Sequence, residues 1–324
     1  MSTSNTPAKP ATKSATKLAL SGLSSAPSMS AAWTMVAATV LFAIMGVCVK
    51  KASAEAGTAE VVFFRGLVGA LLVTLLARHQ GLSLRTRLPL AHFWRGLAGV
   101  TALSLWFYAI GHLPLATAVT LNYMSSVWMA VFLMLREVWR RWRGSAHQAL
   151  DLKLLGAVLL GFVGVMIVLQ PTLEREQRLE GLVGVVSGML AAWAYLEVAA
   201  LGRQGEPEHR VVFYFSVFGT CAGLMIMAVV HGAGQVPWPT PPLATWGWLL
   251  GIGVFATVAQ LLMTRAYAKG QALAMASLQY LGIVHAFVLG VWLFDEPPRR
   301  LSVLGTALIV AAGMGANRWR RGDA

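Results

Sequence analysis

Arg65 stands in the middle of an apolar run, VVFFRGLVG at residues 61–69. A charge among so many apolar side chains is costly to bury and is expected to have a specific role. The run recurs as VVFYFSVFG at residues 211–219, with four of nine positions identical and Phe215 in place of the arginine. Two interpretations of Arg65 are open. Its side chain snorkels to a membrane surface, or it faces inward and attracts a carboxylate or phosphate.

Other polar and aromatic side chains also lie deep within long apolar segments. Amides and hydroxyls can replace the hydration shell of a polar solute, and aromatic rings can pack its apolar part or hold an ammonium group. We therefore expect them to bind a small molecule; the alternative is that they join helices through hydrogen bonds. These candidate residues are Trp106, Asn122, Tyr123, Trp128, Trp193, Tyr195, Gln260, Gln279, Tyr280 and His285.

The composition places these residues in a membrane protein. Of 324 residues, 57% are hydrophobic and only 12% are charged, whereas soluble domains average about 25% charged residues. A membrane-spanning helix needs about 20 mostly apolar residues. Ten segments fit and predict an all-α integral membrane protein: 31–49, 61–77, 93–111, 115–135, 153–170, 181–201, 211–231, 244–264, 271–293 and 301–317.

Lysine and arginine are distributed unevenly between the two sides of these segments. With the N-terminus inside, 19 of the 26 basic residues fall on the inner side and 6 on the outer side, with Arg95 counted at the inner end of the third span. The positive-inside rule then predicts a bacterial-type inner (plasma) membrane protein with both termini cytoplasmic. This topology accounts for most of the net charge of +13, so no nucleic-acid partner is expected.

Two tails flank the apolar segments. Residues 1–30 are rich in Ser, Thr, Ala and Pro, a composition that predicts a disordered cytoplasmic tail. Residues 318–324 form a short basic cytoplasmic tail.

The chain contains an internal repeat. LNYMSSV at 121–127 matches LQYLGIV at 278–284, in the same order as the 61–69 and 211–219 pair. The boundaries are residues 31–170 for the first half and 171–317 for the second, with five helices each. Because five is odd, the second half must lie upside down relative to the first, as in many secondary transporters.

The repeat aligns candidate residues of the two halves. Asn122 corresponds to Gln279, and Tyr123 corresponds to Tyr280. Trp128 corresponds to His285 in the same alignment. Inverted repeats bring such residues together near the membrane midplane, where the binding sites of transporters lie.

Two stretches carry a resemblance to a known family. They are LQYLGIVHAFVLGVWLFDE at 278–296 and, more loosely, LNYMSSVWMAVFLMLRE at 121–137. With the ten helices and two repeats, they resemble the EamA-type family of the drug/metabolite transporter superfamily. The resemblance implies a transporter of small metabolites, often an exporter of amino acids or related compounds. AEVVFFRG at 59–66 is also similar to the second-helix segment of adenosylmethionine importers of this superfamily.

The sequence thus favours a secondary transporter that exports a small polar metabolite by alternating access. The alternatives are an importer of an adenosylmethionine-like metabolite, a broad drug exporter and, remotely, an integral-membrane transferase. Catalysis would need a cluster of acidic or histidine side chains that the sequence does not offer. The absence of a Walker motif disfavours ATP drive. The expected partners are a small-molecule substrate and the lipid bilayer, with no cofactor and no metal, in a monomer or homodimer.

Three residues are candidates for coupling or gating. His285 could take up a proton near neutral pH, or it could be a hydrogen-bonded core residue. Glu197, near the inner end of the sixth span, could bind a proton or cation, or it could snorkel to the surface. Arg65 is the third candidate.

Overall fold

The computed structural model describes residues 29–112, 121–144, 152–169, 178–232, 242–294 and 300–319. Every regular element in these ranges is helical. Eleven helices of eight or more residues lie in these ranges: α1 Met29–Ala52, α2 Thr58–His79, α3 Pro89–His112, α4 Ser125–Trp142, α5 Leu152–Leu169, α6 Arg178–Arg203, α7 Glu208–Gly232, α8 Leu243–Lys269, α9 Ala272–Gln279, α10 Leu281–Phe294 and α11 Arg300–Trp319.

Helices overlap all ten segments that the sequence predicts to be spans. Within the described ranges, six stretches are long and apolar enough to cross a membrane: Ala31–Ala52, Thr58–His79, Arg178–Arg203, Glu208–Val229, Leu243–Lys269 and Ala272–Leu289. The N-terminal tail up to residue 28 and residues 320–324 lie outside the description, as does most of the predicted start of the fourth span.

The ninth predicted span is helical, and Ala272–Leu289 is long and apolar enough to cross a membrane, but it contains an interruption that the sequence did not predict. The helix is interrupted at Tyr280, between α9 and α10. The Ser126 hydroxyl donates a 3.2 Å hydrogen bond to the Ala276 carbonyl, which the Tyr280 N–H would bond in an unbroken helix. A second interruption falls at Met124, between helical residues 121–123 and α4. The two breaks lie at neighbouring positions of the sequence repeat.

Four helix pairs pack most extensively: α1 with α8, α2 with α7, α3 with α6, and α5 with α11. Helices that meet within a membrane approach closely where small residues line the contact. A Cβ added at Gly66 of α2 would come within 2.8 Å of the Ser216 carbonyl oxygen of α7. A Cβ at Gly164 of α5 would likewise come within 2.9 Å of the Gly305 carbonyl oxygen of α11.

Two corners on one side of the bundle are tied together. The α2–α3 and α6–α7 corners turn at Gly81 and Gly205, both left-handed with φ of 63° and 79°. Glycine adopts this conformation without the penalty that a Cβ imposes. Arg210 Nε donates a 2.8 Å hydrogen bond to the Ser83 carbonyl, so the second corner is fastened to the first.

Candidate functional site

Arg65 points into the helix bundle. It lies seven residues after the first residue of α2, three residues deeper than the predicted span start implies. Its Nη2 lies 3.4 Å from Gln260 Oε1 of α8, and its guanidinium carbon lies 5.2 Å from the Phe215 ring centroid. The side chain is therefore turned towards α7 and α8.

A second arginine, Arg95, reaches the same ring. Its guanidinium carbon lies 4.2 Å from the Phe215 centroid, and the residue is only 3% exposed. Within the described part of the chain its Nε and Nη1 have no hydrogen-bond partner. From the sequence, Arg95 was counted as an inner-side charge at the end of the third span, whereas the structure buries its side chain in the bundle. The reason is that α3 begins at Pro89, four residues before the predicted start, which carries Arg95 into the bundle.

A sequence signal could have identified Arg95. FFRGLVG at 63–69 and FWRGLAG at 93–99 share the pattern Phe-x-Arg-Gly-Leu-x-Gly. The two glycines of this pattern are three residues apart, so they lie on the same face of the helix. A Cβ at Gly96 would come within 2.6 Å of the Phe218 ring, and a Cβ at Gly99 within 2.9 Å of the Phe215 ring. The motif thus brings α7 close enough for its aromatic rings to meet the arginine.

The same packing explains why the sequence echo replaces arginine with Phe215. In the repeat, Phe215 occupies the position equivalent to Arg65. In the structure the two side chains are neighbours, and Arg95 contacts the same ring. Guanidinium groups are attracted to the face of an aromatic ring. The two copies of the segment therefore contribute different chemistry to one site.

A tyrosine–amide cluster lies nearby. The rings of Tyr195 and Tyr267 are stacked, with centroids 5.7 Å apart and planes 10° from parallel. Tyr267 Oη donates a 3.1 Å hydrogen bond to Gln279 Oε1. Gln279 Nε2 lies 3.8 Å from Met263 Sδ. Tyr195 and Gln279 thus both contact Tyr267, which was not singled out from the sequence because it lies near the end of α8.

The residues at the two helix breaks also come together. The rings of Tyr123 and Tyr280 have centroids 6.2 Å apart. Asn122 Nδ2 donates a 3.2 Å hydrogen bond to Ser187 Oγ, which donates to the Ala102 carbonyl at 2.9 Å. Among the described residues, Tyr280 Oη is buried without a hydrogen-bond partner.

The remaining candidates are in varied settings. Trp106 and Trp128 each bury an indole N–H that has no partner in the ranges the structure covers. Trp193 is 43% exposed and donates a 3.1 Å hydrogen bond to Glu197, so the tryptophan lies away from the buried clusters. His285 Nδ1 lies 3.2 Å from Thr39 Oγ1 of α1.

A cavity of about 1010 Å³ opens at the α2–α3 and α6–α7 corners, lined partly by Arg85, Arg87, Glu206 and Arg210. His92 Nε2 lies 3.0 Å from Glu206 Oε1. Burial alone would raise the pKa of the Glu206 carboxyl, but hydrogen bonds from His92 and Thr86 and the charges of His92 and Arg210 lower it below its ordinary value. Glu206 is therefore a buried carboxylate that fastens the two corners.

This arrangement suits binding of a ligand more than bond making. In the described ranges, no group of three or more His, Cys, Asp or Glu side chains could hold a metal ion. The same ranges contain several buried donors without acceptors, on Arg65, Arg95 and Gln260 among others. Buried donors of this kind are costly when unpaired and are met by an incoming acceptor.

The chain matches the EamA-like transporter family over residues 29–170 and again over 179–317. It is 32% identical to the pseudopaline exporter CntI of Pseudomonas aeruginosa over 289 residues, which cover 89% of this chain and 95% of the relative. It is 26% identical to an uncharacterized transporter of Helicobacter pylori, over 86% of this chain and 91% of that protein. An S-adenosylmethionine uptake transporter of Rickettsia bellii is 24% identical, over 78% of this chain and 81% of that protein.

A solved crystal structure has the same fold. It superposes with a TM-score of 0.74 at 16% sequence identity, covering 90% of this chain and 98% of the other. The family match spans both halves of the sequence. The chain is therefore a multi-pass membrane protein that belongs to the EamA-like transporter family.

Proposed function

We propose that the protein is a secondary transporter that exports a small polar metabolite, an amino acid or a related compound, across the inner membrane by alternating access. It crosses the membrane ten times, as two inverted five-helix repeats at residues 31–170 and 171–317, with both termini cytoplasmic. It works as a monomer or homodimer. Alternating access then rocks one repeat against the other around a fixed site.

The packing of the helices supports this architecture. The repeat makes α1 equivalent to α6 and α3 equivalent to α8. The α1–α8 pair in one half-to-half contact therefore corresponds to the α6–α3 pair in the other, and both pairs are among the most extensive contacts. The α2–α7 and α5–α11 pairs each join equivalent helices. Helices interrupted near equivalent positions, at Met124 and Tyr280, are typical of substrate sites in secondary transporters.

The observation that carries the proposal is the set of polar groups that are buried in the helix bundle without hydrogen-bond partners. Within the described residues these include Gln260 Nε2, Tyr280 Oη and the indole N–H groups of Trp106 and Trp128. Each unpaired buried group costs about 1–3 kcal/mol. A polar ligand that bonds to them offsets this cost, so the groups favour a small polar substrate.

The buried arginines favour an anionic or zwitterionic substrate over the hydrophobic cations of a drug exporter. Relatives include both an exporter and an uptake transporter. Export is proposed because the exporter is the more similar of the two; import of an adenosylmethionine-like metabolite is the alternative. An integral-membrane transferase is the remote alternative.

The test is transport in inside-out membrane vesicles from cells that overproduce the protein. Labelled amino acids and adenosylmethionine are offered, and accumulation of one of them above vesicles lacking the protein is expected. Tyr267→Phe and Gln279→Ala should reduce accumulation at least tenfold, because they remove the 3.1 Å hydrogen bond and the amide. Gln80→Ala, an exposed residue at the end of α2, is the matched control. No accumulation of any offered metabolite would contradict the proposal.

A proton gradient is the proposed driving force, with His285 and Glu197 as candidate coupling residues. Collapsing the pH gradient with a protonophore should then abolish accumulation above the external concentration while equilibration continues. His285→Gln should mimic this loss, because glutamine keeps a polar group near Thr39 but cannot take up a proton. Unchanged accumulation after collapse would indicate another coupling ion, whereas equilibration without accumulation at any stage would indicate a facilitator.

A further inference from the structure

We propose that Arg65, Arg95 and Phe215 form a subsite for a metabolite that carries two carboxylates, with each guanidinium binding one of them. The inference rests on the proposed transport function and adds the chemical class of the substrate.

The two guanidinium groups are brought together by α7. Both α2 and α3 pack on α7 but only slightly on each other. Each presents its arginine through the same Phe-x-Arg-Gly-Leu-x-Gly motif, at 63–69 and 93–99. The guanidinium carbons lie 5.2 Å and 4.2 Å from the centroid of one ring, that of Phe215. The ring therefore fixes two cations that arrive from separate helices.

Both cations have unused hydrogen-bond donors. Among the described residues, Arg65 Nε, Arg95 Nε and Arg95 Nη1 are buried and have no partner. Arg95 is only 3% exposed. The planar fork of N–H groups on an arginine can bind a carboxylate through two parallel hydrogen bonds. Free donors on a side chain this deeply buried indicate that an acceptor arrives from outside the protein.

The protein supplies little negative charge to this subsite. Glu197 of α6 accepts a 3.1 Å hydrogen bond from the Trp193 indole and not from either guanidinium. No ion pair is recorded for either guanidinium in the parts of the chain that the structure describes. Uncompensated buried charges are strongly destabilising. A ligand with two negative charges offsets both.

Two carboxylates fit this geometry better than one phosphate. A phosphate concentrates its charge on one group and suits cations that converge on one point. Here each guanidinium is held by the aromatic ring and offers its own set of donors. Two separate planar acceptors can satisfy both sets, whereas a single carboxylate would leave one arginine uncompensated.

The subsite continues into the tyrosine–amide cluster. Arg65 reaches Gln260 of α8, the helix that also carries Tyr267, and the Tyr267 ring stacks on that of Tyr195. Tyrosine faces can hold an ammonium group, and Gln279 adds an amide. The ligand class is therefore a dicarboxylic amino acid or an N-substituted derivative of one.

The experiment measures ligand binding to the purified full-length protein in detergent, through the shift of its thermal unfolding midpoint. The probes are matched pairs that differ only by carboxylate against amide: L-glutamate with L-glutamine, and N-acetyl-L-glutamate with N-acetyl-L-glutamine. Glycerol 3-phosphate represents phosphate esters. We expect the dicarboxylates alone to stabilise the protein. Arg65→Gln and Arg95→Gln should each weaken their binding at least tenfold, while the control Arg78→Gln, on the exposed end of α2, should not.

The inference is overturned if the amides stabilise as well as the acids, if glycerol 3-phosphate is preferred, if no dicarboxylate binds, or if binding survives both arginine substitutions. Its failure is separable from failure of the proposed function. Transport of neutral amino acids that ignores both arginines would refute the subsite and retain the transporter. Arginine-dependent dicarboxylate binding without vesicle accumulation would retain the subsite and refute transport.

Discussion

At the scale of single residues, the meaning of a charge depends on what packs around it. Arg65 and Arg95 stand in the same local pattern, and both end beside Phe215. A third arginine in place of Phe215 would add a like charge and remove the ring that holds the other two. The asymmetry between the two copies of the segment is thus required by the site.

Gly99 is predicted to be essential for the position of Arg95. In Gly99→Ala, the new methyl group would collide with Arg95 Nη1 and approach the Phe215 ring to 2.9 Å. The guanidinium must move, so dicarboxylate binding in the thermal-shift assay should fall at least tenfold, as in Arg95→Gln.

The matched control is Gly156→Ala in α5, where an added Cβ meets no atom of the described chain within 4 Å. It should leave binding intact and leave the unfolding midpoint the same or higher, since alanine favours helix over glycine by about 1 kcal/mol. Equal binding by both alanine variants would show that the guanidinium does not need its present position.

At the scale of elements, the break between α9 and α10 is set by a side chain on another helix. The Ser126 hydroxyl of α4 donates a hydrogen bond to the Ala276 carbonyl. The Tyr280 N–H donates to the Leu278 carbonyl instead. Gly282 then allows close approach of Tyr123, in the helical residues just before α4, since a Cβ there would lie 2.8 Å from Tyr123 Oη. The local sequence alone, apolar and without proline, predicts an unbroken helix.

Ser126→Ala is predicted to destabilise this junction. The substitution removes the only recorded side-chain bond to the Ala276 carbonyl in the described structure, and loss of a buried hydrogen bond costs about 1 kcal/mol. The unfolding midpoint, measured by scanning fluorimetry in detergent, should therefore fall.

Ser277→Ala provides a comparison on α9. Its hydroxyl donates at 3.0 Å to the Leu273 carbonyl four residues earlier, an acceptor that lies within the helix. Its removal should cost less than removal of the Ser126 hydroxyl. A larger effect at Ser277 would contradict the role assigned to Ser126.

At the scale of the whole molecule, a buried carboxylate joins the two halves of the chain. Glu206 follows α6 in the second half, and His92 begins α3 in the first; their side chains lie 3.0 Å apart. Arg210 Nη1 lies 3.6 Å from the other Glu206 oxygen. These contacts hold the two corners that border the cavity, so they also limit movement of one half against the other.

Glu206→Gln is predicted to lower the stability by about 1–2 kcal/mol at pH 7, because hydrogen bonds to a charged acceptor are stronger than those to a neutral one. The Glu206 pKa is lowered in the folded protein. Its contribution is therefore fully present above the unfolded glutamate pKa of about 4.3 and is lost as the pH falls through the lowered folded value.

Unfolding midpoints of the wild type and of Glu206→Gln should accordingly differ at pH 7 and converge below about pH 4. Glu55→Gln, in an exposed turn, is the control and should match the wild type throughout. A difference that persisted unchanged in strong acid would mean that the carboxylate charge is not its source.

The sequence by itself determined that the protein lies in a lipid bilayer and where most of its helices are. Twenty-residue apolar segments require a bilayer, and hydrophobic length alone located helices at all ten predicted positions. The polar residues at 122, 123, 279 and 280 were singled out as candidates because polar groups are rare at that depth and therefore conspicuous. These properties depend on composition and spacing along the chain.

Only the tertiary structure decided which side chains meet. The pairing of Tyr195 with Tyr267, the burial of Arg95 and the break at Tyr280 depend on contacts between helices distant in sequence. Because α3 begins four residues before the predicted start, Arg95 lies within the bundle and not at the inner end of the span. Periodicity gives each helix its length, but close packing through glycines gives it its neighbours, and those neighbours form the site.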